Sequence, residues 1–153
     1  MKINKIKVSE LTEDPHNART HAARNIEAIK KSLERFGQQK PIVVSTDGCV
    51  IAGSGTLRAA GELGWETIDT VETQLRDADA AAFAIADNRT AELAAWQEEE
   101  LASTLGSFDE ELIEAAGFTG DEMLALLAEV DGSPDYLANE DSTYGVPVYD
   151  GAA

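Results

Sequence analysis

Gly53-Ser54-Gly55-Thr56-Leu57-Arg58-Ala59-Ala60 is the stretch on which the reading of this chain turns. It follows an apolar run, Cys49-Val50-Ile51-Ala52, and opens a segment of helical character, Thr56 to Leu63, that Gly64 stops. A strand that turns through glycine into a helix leaves the first N–H groups of that helix without intrahelical partners. Those groups and the positive end of the helix dipole favour an anion. Gly53 and Gly55 let a phosphate approach the backbone closely, and Ser54 and Thr56 can donate hydroxyl hydrogen bonds. Arg58 adds charge if its side chain turns back toward the loop. A Gly-x-Gly turn alone is a weak signal, because glycine also serves turn geometry by itself.

Working outward, Pro41-Ile42-Val43-Val44-Ser45 and Cys49-Val50-Ile51-Ala52 are β-branched runs flanking Asp47-Gly48, which predicts a hairpin. Before it, Ile26, Ile29, Leu33 and Phe36 recur at helical spacing, with Asn25 as the expected N-cap and Gly37 as the stop. Glu27 and Lys31 are spaced to pair on its exposed side. Asp14-Pro15-His16-Asn17 reads as a turn. Residues 2 to 8 read as a strand, with Ile3, Ile6 and Val8 turned inward. Residues 66 to 73 read as another strand. Asp77 is expected to cap an alanine-rich helix to about Ala86, and a further helix spans Ala91 to Leu105. Ser107-Phe108-Asp109-Glu110 and Thr119-Gly120-Asp121-Glu122 read as capping boxes opening two short helices. From Asp131 the chain is rich in Gly, Ser, Pro, Asp and Asn, and a loosely ordered tail is expected. The fold class is α/β: a small mixed sheet with packed helices, then short acidic helices. The expected divisions are residues 1–90, 91–130 and 131–153.

The net charge of −17 is unevenly spread. The first forty residues carry +4 and the remainder −21. That balance argues against non-specific DNA binding, which draws most of its affinity from phosphate neutralisation. A DNA contact would fall on the N-terminal basic region, and a basic protein partner would fall on the acidic helices. The acidity also serves solubility. No run of eighteen apolar residues exists and the N-terminus lacks a secretory apolar block, so a cytoplasmic protein is expected. Cys49 is the single cysteine, which excludes an intramolecular disulfide and reads as a strand or core residue.

Four ordered blocks carry a resemblance: Asp14-Pro15-His16-Asn17-Ala18-Arg19; Gly37-Gln38-Gln39-Lys40-Pro41-Ile42-Val43-Val44; the Gly53 box; and Ile85-Ala86-Asp87-Asn88-Arg89-Thr90. Together they resemble the ParB/sulfiredoxin superfamily over residues 3 to 105, most of all its stand-alone phage and mobile-element members and the ParB-like domains that precede some DNA adenine methyltransferases. The resemblance implies a phosphate pocket for a nucleotide, CTP or ATP/ADP, with Mg²⁺ held by the phosphates and Asp14 or Asp87. It implies phosphate contacts from Arg19, Gln38, Gly53, Ser54, Gly55, Thr56, Arg58, Asn88 and Arg89, and catalytic roles for Asp14, His16 and Asp87. His21 shares the His16 segment, and both also read as surface loop histidines. Asp87-Asn88-Arg89 also reads as a helix end, with Asn88 as a left-handed cap. No intrinsic metal site is expected.

Departures from the pattern bear on activity. The ParB box usually offers two adjacent arginines where this chain has Gly55 and Thr56. Sulfiredoxins place a cysteine where this chain has Ser54, so sulfinic-acid reduction is not expected. The acidic helices after Ala91 offer no basic recognition helix. The resemblance therefore implies a nucleotide- or phosphate-binding protein of phage or mobile-element DNA metabolism, with slow nucleotide hydrolysis or phosphotransfer left open. Two other readings stand beside it: a ParB-like DNA nuclease, and a non-catalytic adaptor or inhibitor that binds a basic partner.

Overall fold

The computed structural model describes residues 1–131, so the expectation for the tail falls outside the described residues. The elements run β1 (Ile3–Lys7), a 3-10 turn (Val8–Glu10), β2 (Thr12–Glu13), α1 (Ala23–Phe36), β3 (Ile42–Val44), β4 (Cys49–Ala52), α2 (Ser54–Glu62), β5 (Thr67–Glu72), α3 (Asp77–Leu93), α4 (Glu98–Gly106), α5 (Glu110–Ala115) and α6 (Gly120–Asp131). Met1–Ala94 form one compact unit, and a second begins at Ala95.

The first unit is the expected mixed α/β fold. Its sheet has the order β1-β5-β3-β4-β2. β1 and β5 are antiparallel, β3 and β5 parallel, β3 and β4 form the antiparallel hairpin, and β2 joins β4 in parallel. The hairpin loop closes through Gly48, whose N–H donates to the Ser45 carbonyl at 3.0 Å. Ile42, Val44, Val50 and Ile68 of the sheet meet Ile26 and Leu33 of α1 and Leu57, Ala59 and Ala60 of α2 in one buried cluster. Burial of this kind stabilises by about 25 cal/mol per Å² of apolar surface. Lys30 ties the two helices, reaching Glu27 at 3.0 Å and Glu62 at 3.4 Å. Its hydrogen bond to Glu27 leads the effects that hold its ammonium pKa above the ordinary lysine value.

Several local expectations are corrected. Ile3 is 59% exposed, because strand side chains alternate and Ile3 cannot share a face with Ile6. Asn25 lies within α1, whose N-cap is Ala22. α3 does not stop near Ala86 but runs to Leu93, since alanine-rich sequence without Gly or Pro favours continuation. Asn88 is therefore no left-handed cap: it sits inside α3 and donates from Nδ2 to the Ala84 carbonyl at 2.9 Å. The helix expected over Ala91–Leu105 is interrupted, and α4 starts only at Glu98.

In the second unit Asp109, not Ser107, caps α5, accepting from the Leu112 N–H at 2.8 Å. Thr119 caps α6 as expected, accepting from the Glu122 N–H at 3.1 Å. Ala102, Leu105, Ala115 and Met123 are buried, and Trp96 meets Phe118 edge-on at 6.2 Å. The acidic clusters occupy helix starts: Glu98-Glu99-Glu100 in α4, Glu110-Glu111 in α5 and Asp121-Glu122 in α6. Carboxylates there complement the helix dipole, each by about 0.3–1 kcal/mol at low salt.

The β4–α2 turn is the sharpest constraint in the first unit. Gly53 has φ +106°, and a Cβ on it would lie 2.8 Å from Ile42 Cβ, beside the Ile42 methyl. Gly64 also has a positive φ, +76°, but a Cβ there would meet open space. Gly53→Ala is expected to destabilise by about 2–4 kcal/mol, from strain plus overpacking, and Gly64→Ala by only about 1 kcal/mol. Urea unfolding of the two variants checks this; equal losses would remove the special role of the Ile42 contact.

Candidate functional site

Gly53 places the start of α2 at the carboxyl end of β4. The Leu57 N–H reaches back to the Gly53 carbonyl at 3.0 Å. Gly53 has no side chain with which to cap the first turn, and that turn holds no acidic residue. The N–H groups of Ser54, Gly55 and Thr56 thus stand at the positive end of the helix. Ser54 and Gly55 are buried and Thr56 is half-buried.

This turn forms one wall of a cleft of about 250 Å³. Asn17, Arg19 and His21 face it from the loop before α1, and Ile29 from α1 itself. Lys40 and Pro41 line it from the approach to β3, and Asp87 and Asn88 from α3. A second cavity of about 290 Å³ adjoins it, sharing Asn17, Arg19 and Asn88. Its apolar side is Ala81, Ala84 and Ile85, and its polar side includes Asp14, His16, Arg89 and Glu92.

The loop between β2 and α1 is shaped by its own short side chains. Asp14 Oδ1 accepts from the His16 N–H at 2.8 Å, and Asn17 Oδ1 accepts from the Arg19 N–H at 3.0 Å. The expected turn at Asp14–Asn17 closes by the Asn17 N–H on the Asp14 carbonyl at 3.1 Å. Such Asx turns are the reason Asp and Asn favour these positions.

The residues singled out from sequence are distributed as follows. Gly53, Ser54, Gly55, Thr56, Arg19, Asp87 and Asn88 line the first cleft. Asp14, His16 and Arg89 line the second cavity, so the three residues expected to be catalytic are divided between the two. Arg19 donates to Glu92 at 2.6 Å, and Arg89 approaches the other Glu92 oxygen at 3.6 Å. Arg58 lines neither cavity. Its Nη2 donates to both Glu13 oxygens, at 3.0 and 3.1 Å. Gln38 is also outside both. Its amide exchanges two 2.8 Å hydrogen bonds with the Asp69 backbone and so fastens the α1–β3 loop to β5.

Three polar cleft residues, Asn17, His21 and Lys40, carry no ligand role in the sequence reading, although each falls within or beside a segment that reading singles out. The Lys40-Pro41-Ile42 order was the available signal, because Ile42 packs on Gly53 and Lys40 stands two residues before it. Lys40 makes no ion pair among the described residues.

The domain model described as ParB N-terminal domain matches residues 1–89. The chain belongs to the ParB N-terminal domain family. Among curated proteins, the ParB-like nuclease domain-containing protein YnaK of Escherichia coli K12 is 31% identical over 64 residues, spanning 42% of this chain and 74% of that protein. Among solved structures, the C-terminally truncated chromosome-partitioning protein ParB from Caulobacter crescentus, complexed with CTP-γ-S, superposes with a TM-score of 0.71. The match covers 94% of this chain and 88% of that one at 19% identity. A Pnob8-like ParB-N domain gives a TM-score of 0.50 at 16% identity, covering 86% of this chain and 62% of that one. These likenesses establish the ParB-type fold.

Cys49, half-buried on β4, lies outside both cavities. Burial, aided by the Asp14 and Asp47 carboxylates, pushes its thiol pKa above the ordinary value. The thiolate is the reactive form. Iodoacetamide at pH 8 is therefore expected to modify Cys49 in the folded protein at least about tenfold more slowly than glutathione, and at the ordinary rate in urea. Equal folded and unfolded rates, followed by mass spectrometry, would show an accessible, activated thiol instead.

Proposed function

We propose that this ParB-family chain is a nucleotide-binding module that holds the phosphates of a nucleoside di- or triphosphate at the first turn of α2. One observation carries the reading: the uncapped, acid-free N-terminus of α2 opens into a cleft that also presents Lys40, His21 and Arg19. Free backbone donors and a helix dipole suit phosphate oxygens, and the cations add charge without filling the space. The adjoining cavity, with its Ala81–Ala84–Ile85 side, offers room for the nucleoside. The Caulobacter ParB structure holds CTP-γ-S, which makes a nucleoside triphosphate the first ligand class to try.

Asp87 lines the same cleft and supplies a carboxylate. Mg²⁺ commonly binds through one or two carboxylates plus substrate phosphates, and Asp87 with a bound nucleotide fits that donor set. The metal would neutralise phosphate charge. In this reading the protein acts in the cytoplasm, in the DNA metabolism of a phage, a mobile element or its host, and membership of the ParB N-terminal domain family supports that placement.

In this reading Lys40 takes the place of Arg58 as the phosphate contact, which the pairing of Arg58 with Glu13 outside the cleft supports. Calorimetric titration with CTP, ATP, ADP, GTP and AMP, each with Mg²⁺, is expected to give saturable binding to one of them. Lys40→Ala is then expected to weaken that binding about tenfold, the cost of one charge-assisted hydrogen bond, while Arg58→Ala stays within about twofold. Phosphate release in the same samples reads any slow hydrolysis. Binding of none of the five, or loss on changing Arg58 with Lys40→Ala unaffected, would refute the assignment.

A further inference from the structure

Gly55 and His21 occupy one space between them. A Cβ on Gly55 would lie 2.8 Å from His21 Cε1, 3.0 Å from His21 Nδ1 and 2.9 Å from Ile29 Cδ1. The imidazole therefore stands where a side chain at position 55 would begin, against the second residue of α2. Both His21 and Gly55 line the cleft. The absence of a side chain on the helix is matched by the arrival of a titratable ring from a separate loop.

The ring is held in a defined state. His21 Nδ1 lies 2.7 Å from Asn25 Oδ1. An amide oxygen only accepts, so Nδ1 carries the hydrogen. Nε2 is then the basic nitrogen of the neutral ring and the second donor of the imidazolium. Charged and polar groups from each neighbouring element share its cleft or contact the ring. α1 contributes Asn25 and the apolar Ile29. The first turn of α2 contributes backbone N–H groups and no acid. The approach to β3 contributes Lys40, the loop contributes Arg19, and α3 contributes Asp87. Arg19 is already engaged by Glu92. An arriving phosphate favours the protonated ring, because an anion beside an imidazole stabilises its charged form. Protonation of His21 and binding of phosphate then favour each other by thermodynamic linkage.

We infer that His21 is the phosphate-binding residue that stands in for a side chain on the α2 turn, donating from Nε2 to a phosphate oxygen of the bound ligand. This deepens the nucleotide reading and rests on it. It makes ligand affinity rise as pH falls from 8 to 6.

The test is NMR titration of the full chain with inorganic pyrophosphate, repeated from pH 5.5 to 8.5. The sequence has two histidines, His16 and His21, so the imidazole region holds two ring systems, assigned with His16→Gln and His21→Gln. The backbone amides of Ser54, Gly55 and Thr56 report occupancy of the turn. The expected result is amide shifts at those three residues, with an upward move of the His21 titration midpoint and no move at His16. Wild type should also gain about tenfold in pyrophosphate affinity over His21→Gln at pH 6, with little difference at pH 8, as a charged hydrogen bond would give. The comparison with His21→Gln cancels the titration of the probe itself. Amide shifts with an unmoved His21 midpoint would overturn the His21 role and leave the phosphate site standing. No amide shifts at the turn would overturn the site, and the His21 role with it.

Discussion

The close approach of Gly53 to Ile42 is the contact on which the rest of the site depends. Ile42 is the first residue of β3, and β3 is held on both sides, by β5 in parallel and β4 in antiparallel pairing. Ile42 pairs with Thr70 of β5, so it cannot retreat without disturbing that ladder. The chain leaving β4 must therefore pass it with no side chain and with φ +106°. That single left-handed residue ends the strand and starts the helix within one step. It also fixes the amides of Ser54, Gly55 and Thr56 relative to the strand that carries Lys40 and Pro41 on its approach. Backbone donors and a cation reach the same cleft because one van der Waals contact in the sheet sets both.

Charge in this cleft is arranged by partners as much as by position. Three arginines could have served a phosphate, and each meets a carboxylate: Arg58 meets Glu13, while Arg19 and Arg89 both meet Glu92. These pairs are at least partly exposed, and pairs of that kind contribute about 0–1 kcal/mol to stability. Their effect is to orient. Arg58 is drawn toward β2 and away from the α2 turn. Arg19 is drawn across to α3, where it helps define the boundary shared by the two cavities. Lys40 keeps its charge unpaired among the described residues.

Much of the first unit was legible because its signals are short-range. The β3–β4 hairpin follows from two β-branched runs around Asp47-Gly48, and α2 follows from the glycine turn and the stop at Gly64. The Asp14–Asn17 turn follows from side chains that bond their own backbone. The misses share a different cause. Asn25 looks like an N-cap in isolation, but its side chain is committed to His21 and the helix starts earlier. Asn88 looks like a terminator, yet its amide bonds the carbonyl one turn back and α3 continues. Gln38 looks like a ligand group, yet it bonds the backbone of Asp69, thirty-one residues away. Arg58 could not be placed without knowing that Glu13, forty-five residues earlier, would lie beside it. In each case a tertiary partner decided what a local pattern left open.

The family likeness and the missing arginines are compatible for a physical reason. A ParB-type fold is specified by its buried cluster and its glycine turn, and both are present here. The groups that contact a ligand lie on the rim and are not needed for packing. With Gly55 and Thr56 where arginines usually stand, α2 itself brings only dipole and amides. The cationic groups come instead from the loop before α1 and from the approach to β3. A phosphate held there would join segments that are separate in sequence. Its binding free energy would then stabilise their mutual arrangement as well as the ligand, because a ligand that binds only the assembled form favours that form by mass action. Arginines on a single helix would grip without tying those segments together. Gly55 and Thr56 in the place of arginines would therefore change how a bound ligand is coupled to the fold, while leaving the fold itself in place.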